Sequence, residues 1–78
     1  MKGFGNNLKT ERIAAGLSQT KMAHLLGVKQ QQLSQWECDK VEPTLYNIAM
    51  ILKILEIKFE DLTEGITLPD LTRQKESK

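Results

Sequence analysis

A chain of 78 residues allows one domain, and 40% apolar with 27% charged residues is the composition of a folded globule rather than a disordered chain. The formal charge of +1 gives no overall basic excess of the kind that coats nucleic acid. The single cysteine, Cys38, excludes an internal disulfide and a cysteine-based zinc site. No window approaches the roughly 18 unbroken apolar residues of a membrane helix, and Met1-Lys2-Gly3-Phe4 lacks the apolar core of a signal peptide. The expectation is a cytoplasmic protein with no membrane partner. The charge is uneven: residues 1–36 hold five basic and one acidic residue (+4), and residues 37–78 hold six basic and nine acidic (−3).

No alternation of apolar and polar residues persists, so the chain reads as a series of short helices. The first is expected from about Asn6 or Asn7 to Ala15, stopped by Gly16. Phe4, Leu8, Arg12 and Ala15 share its inner stripe, so the Arg12 guanidinium needs a carboxylate. The second begins with Ser18 as N-cap and ends at Gly27, with Met22, Leu25 and Leu26 inward and Ala23 small enough for a close crossing. The third covers about Gln30 to Glu37, with Leu33 and Trp36 inward and Gln31, Ser34 and Gln35 opposite, flanked by Gln30 and Gln32. Asp39 to Pro43 reads as a loop, and Thr44 caps a fourth helix from Leu45 to Leu55.

That fourth helix carries a core stripe of Leu45, Ile48, Ile51, Leu52 and Leu55 and a second stripe of Tyr46, Met50 and Ile54. Both require cover. Phe59 to Thr63 allows a short fifth helix, Ile66 to Leu71 reads as extended around Pro69, and Thr72 to Lys78 reads as a solvated tail.

Two short helices separated by a few residues are a helix-turn-helix candidate. Here the sequence resembles the Cro/repressor-type family, the xenobiotic-response-element (XRE) family of bacterial and phage regulators. The resemblance rests on Leu8-Lys9-x-x-Arg12, Gly16-Leu17-Ser18-Gln19, Ala23-x-Leu25-Leu26-Gly27-Val28 and Leu33-Ser34-Gln35-Trp36-Glu37. Pro43-Thr44-Leu45 and Phe59-Glu60-Asp61-Leu62 extend it, so that it covers about Phe4 to Glu64. It implies an all-α, compact five-helix bundle of the lambda-repressor-like type, with a helix-turn-helix in helices 2 and 3. The domain is placed at residues 4–64, with a C-terminal extension and polar tail at 65–78.

The resemblance also implies roles. In the family the third helix lies in the major groove, which assigns base readout to Gln30, Gln31, Ser34 and Gln35. The family's glutamine matching Gln19 bonds a phosphate, and its arginine and glutamate matching Arg12 and Glu37 form a structural ion pair; by their own chemistry Ser18, Lys29 and Lys40 are further phosphate candidates. Asp39 and Glu56 stand where many members have glycine after the third and fourth helices.

The chemistry of the residues agrees. A glutamine amide sets a donor beside an acceptor, which matches N6 and N7 of adenine in the major groove. Ser18, Gln19 and the N–H groups of a helix start can hold a phosphate. Taken alone, consecutive glutamines are an ordinary neutral solvated face; within a helix-turn-helix they occupy the side left open once Leu33 and Trp36 are buried. Trp36 is most simply core, and His24 exposed. One His and one Cys, with no phosphate loop and no cluster of metal ligands, leave little from which to build a catalytic site.

The expected function is that of a homodimeric, sequence-specific double-stranded DNA-binding regulator, a repressor reading a palindromic operator, and not an enzyme. It uses no cofactor. Met50, Ile54, Ile57, Phe59 and Ile66 are the expected dimer interface. The alternative is an antitoxin-type module that neutralises a toxin partner and autoregulates its operon, with the apolar segment Ile66 to Leu71 ordering on that partner.

Overall fold

A computed structural model describes residues 2–66. It contains α1 (Phe4–Ala14), α2 (Gln19–Leu26), α3 (Gln30–Glu37), α4 (Leu45–Leu55) and α5 (Phe59–Thr63). Among the described residues there is no strand, and no helix is long and apolar enough to cross a membrane. The expectations for residues 67–71 and for the tail at 72–78 lie outside the described residues.

Four of the helices end alike. Gly16, Gly27, Asp39 and Glu56 take left-handed backbone angles, with φ of 77°, 73°, 59° and 55°. In each case the next N–H bonds back to a carbonyl five residues earlier: Leu17 to Arg12, Val28 to Ala23, Lys40 to Gln35 and Ile57 to Leu52. This closure satisfies carbonyls that a helix end leaves orphaned. Gly16 and Gly27 adopt it without steric cost, whereas Asp39 and Glu56 bring a Cβ into the left-handed region.

The core gathers Phe4 and Leu8 of α1, Met22, Ala23 and Leu26 of α2, Leu33 and Trp36 of α3, Ile51 and Leu55 of α4, and Leu62 of α5. Each helix therefore contributes one apolar stripe to a single shared interior. α3 packs against α1 and α2, α5 lies on α1, and α4 lies on α2. The α1–α3 crossing is close because residue 5 is glycine: a Cβ there would overlap the backbone carbonyls of Glu37 and Trp36.

Several expectations about the inner faces are corrected. α1 starts at Phe4, ahead of the expected Asn6 or Asn7, because its cap comes from elsewhere in the chain. Gly3 occupies the N-cap position with no side chain to offer, and the Asp39 carboxylate accepts from the Gly3 N–H (2.9 Å) and the Gly5 N–H (2.8 Å). Asn7, inside the helix, sends its Nδ2 to the carbonyls of Leu62 and Glu64, both at 2.8 Å, and so closes the end of α5. Ala15 is exposed because the helix ends before it and carries it past the core.

Leu25 is 43% exposed. At 100° per residue it lies well round the helix from the buried arc of Met22, Leu26 and Ala23. Leu45 (81%) and Tyr46 (71%) are exposed in the first turn of α4, ahead of the point where the helix meets its neighbours. Ile48, Leu52, Met50 and Ile54 are partly buried against the core, so the second stripe is covered only over its later part.

Candidate nucleic-acid interface

The site begins at a buried charge pair. Arg12 lies on the core stripe of α1, below Leu8, and has no apolar way to satisfy its guanidinium. Its Nε donates to Glu37 Oε2 at 2.6 Å, Nη2 to Glu37 Oε1 at 3.2 Å and Nη1 to the Leu17 carbonyl at 2.8 Å. This two-nitrogen grip ties α1 to the last residue of α3 and to the turn that opens α2. Both side chains are buried, and among the described residues no buried side-chain polar atom lacks a partner.

A line of side-chain hydrogen bonds leads outward from this pair. Gln19, the first residue of α2, donates from Nε2 to Glu37 Oε1 at 2.9 Å. Its Oε1 accepts from Gln30 Nε2 at 3.4 Å, and Gln30 Oε1 accepts from Thr20 Oγ1 at 3.2 Å. The first residues of α2 and α3 are thereby joined at the surface, above the ion pair that holds the two ends of the motif.

Local caps set where the two helices begin. Ser18 Oγ accepts from the Lys21 N–H at 3.0 Å, and the hydroxyl retains a hydrogen to donate. Gln32 Oε1 accepts from the Lys29 N–H at 3.2 Å, so this glutamine serves the start of α3.

On α3, Leu33 and Trp36 are buried beneath the helix, Gln30 and Gln31 are exposed on it, and Ser34 and Gln35 are half-buried at its flank. The residues assigned to base readout thus share one helix and one open side. Lys29 and Lys40 are exposed before and after that helix, and Ser18 lies at the start of α2. Gln19 is turned partly inward to Glu37, with one amide hydrogen still unassigned by its two bonds. Away from this face, Met50, Ile54, Ile57 and Ile66 are partly buried and Phe59 is 48% exposed.

Two relationships escaped the residue-by-residue reading. Asp39 reads from the sequence as a loop residue and a departure from glycine, but its carboxylate holds the first turn of α1. Thr20 carried no role, but its hydroxyl meets Gln30. Each partner lies 10 to 36 positions away in the chain, beyond the reach of spacing patterns.

A family model described as Helix-turn-helix matches residues 8–62. The chain belongs to this XRE-type helix-turn-helix family. The matched region runs from Leu8 in α1 to Leu62 in α5 and so contains the whole polar line from Arg12 to Gln30. The chain is also 36% identical over 62 residues to the SPbeta prophage-derived uncharacterized HTH-type transcriptional regulator YonR of Bacillus subtilis (strain 168). That alignment takes in 80% of this chain and 57% of the relative, so this chain spans little more than half the length of the relative it matches.

Proposed function

We propose that this helix-turn-helix protein is a DNA-binding transcription regulator that acts as a homodimeric repressor and reads a palindromic operator through α3. The observation that carries the reading is the open side of α3. Gln30, Gln31, Ser34 and Gln35 stand there over a buried base of Leu33 and Trp36. Amides at two adjacent positions and a further one about a turn later can meet the edges of neighbouring base pairs. Ser18, Gln19, Lys29 and Lys40 border the same side and serve the backbone on either flank.

Dimerisation is proposed through Met50, Ile54, Ile57, Phe59 and Ile66, of which Phe59 leaves most surface to cover. Two copies of α3 would then enter major grooves about 34 Å apart on one DNA face. The relative from Bacillus subtilis is named as a transcriptional regulator, which supports the same class for this chain. Sedimentation with and without duplex DNA tests the assembly: two chains per duplex are expected, and one chain per duplex at saturation contradicts the homodimer.

A further inference from the structure

We infer that Thr20 is a positioning residue that holds the Gln30 amide on α3 in the orientation that Gln19 sets. The inference rests on the reading of α3 as the base-reading helix and names a residue that reading does not use.

An amide side chain turned end for end keeps its shape but exchanges its donor and its acceptor. Which way it points therefore depends on its partners, and here those partners form a line of fixed polarity. Arg12 only donates, and the Glu37 carboxylate paired with it only accepts. The group of Gln19 that meets Glu37 must then be its nitrogen, at 2.9 Å. This turns the Gln19 oxygen outward, where it accepts from Gln30 Nε2 at 3.4 Å.

That contact is long for a hydrogen bond and by itself grips weakly. Thr20 supplies the second point. Its hydroxyl, which can donate or accept, here donates to Gln30 Oε1 at 3.2 Å and so holds the far end of the amide whose direction the Gln19 oxygen sets. A reversed amide would set its oxygen against the Gln19 oxygen, which disfavours it whichever way the Thr20 hydroxyl turns. The remaining N–H and lone pair of Gln30 consequently point outward in one arrangement, as two-point recognition of a base edge requires. Thr20 and Gln30 are both exposed, so the contact contributes orientation and not core packing.

The test compares the intact protein with Thr20→Val, which keeps the shape and removes the hydroxyl, and Thr20→Ser, which keeps the hydroxyl. Duplexes bound from a random pool are sequenced for each, and the Gln30 side-chain amide signals are followed by NMR in the free proteins. Thr20→Val is expected to relax preference at one base pair per half-site by about fivefold, to move the Gln30 signals and to leave the melting temperature unchanged. Thr20→Ser should restore both the preference and the signals. An unchanged sequence profile, an even loss across all sequences, or Gln30 signals that do not move in Thr20→Val would overturn the role. A parent protein that binds no sequence while its Gln30 signals still respond to Thr20→Val would instead overturn the DNA reading.

Discussion

Arg12 and Glu37 form a buried, two-nitrogen ion pair, with the closest approach at 2.6 Å and both side chains nearly sealed from water. One partner belongs to α1 and the other to the final residue of α3, so the pair sets the position of α3 relative to the rest of the domain. Removing a single partner leaves a buried charge with nothing to compensate it, which costs about 3–5 kcal/mol. Against a total stability of about 5–15 kcal/mol for a domain, that loss is large. Urea unfolding of Arg12→Met and of Glu37→Leu should each show it, and the double variant should lose much less than the two together. A double variant whose loss equals the sum of the two single losses would mean that the side chains act independently.

The Asp39 carboxylate caps α1 from 34 and 36 residues away. The Gly3 N–H holds its carboxyl below the ordinary aspartate value of 3.8 against the opposing effect of desolvation, with further help from the Gly5 N–H, the chain's amino terminus and Lys2. A native value below the unfolded one stabilises the fold above pH 3.8, and that contribution is lost as pH falls through the native value. Asp39→Asn keeps the tolerance of left-handed geometry but not the charge. The stability gap between the parent protein and the Asp39→Asn variant should therefore be present at neutral pH and close at strongly acidic pH. Asp39→Ala, which loses the cap entirely, should cost about 1 kcal/mol at neutral pH. A gap that does not change with pH would contradict the charged cap.

Glu56 holds the same left-handed position at the end of α4, with φ of 55°. Unlike Asp39, it makes no side-chain hydrogen bond among the described residues that would favour it there. Glu56→Gly should relieve the steric cost and raise stability by roughly 0.5–1 kcal/mol after the greater chain entropy of glycine is offset. Differential scanning calorimetry should show a rise of a few degrees, and a fall would indicate a role for the carboxylate.

Much of this structure was legible in the sequence because its signals are local. Ser18 and Thr44 cap α2 and α4 as short polar side chains bonded three residues on. Gly27 ends α2, and the apolar spacing of Leu33 and Trp36 identifies the buried side of α3. The start of α1 was misplaced for the opposite reason: two asparagines offered a local cap signal, while the true cap arrives from Asp39 and Asn7 serves α5. The exposure of Leu25, Leu45 and Tyr46 has a related cause. Periodicity says which side of a helix is apolar, but the neighbours decide how wide an arc and how many turns are covered. At the candidate site the residue types and their helix were legible, whereas the link from Gln19 to Gln30 and Thr20 depends on how two helices meet.

Gln31 and Gln19 should behave differently when removed. Gln31 is exposed on α3, and Gln31→Ala should weaken binding by about 1–3 kcal/mol with relaxed preference at one base pair. Gln19→Ala should weaken every sequence, as loss of a backbone contact does, and relax preference only at the base pair that Gln30 meets. Fluorescence anisotropy on a panel of singly substituted duplexes separates the two patterns, and an even loss for Gln31→Ala would remove it from base readout.

The open side of α3 is proposed to read double-stranded DNA in a twofold assembly. Selection of bound duplexes from a random pool, at a stated salt concentration, tests it most directly because backbone affinity alone varies steeply with salt. A palindromic consensus is expected, with half-site centres about 10 base pairs, or about 34 Å, apart. Retention without enrichment of any sequence, or a consensus lacking twofold symmetry, would contradict it.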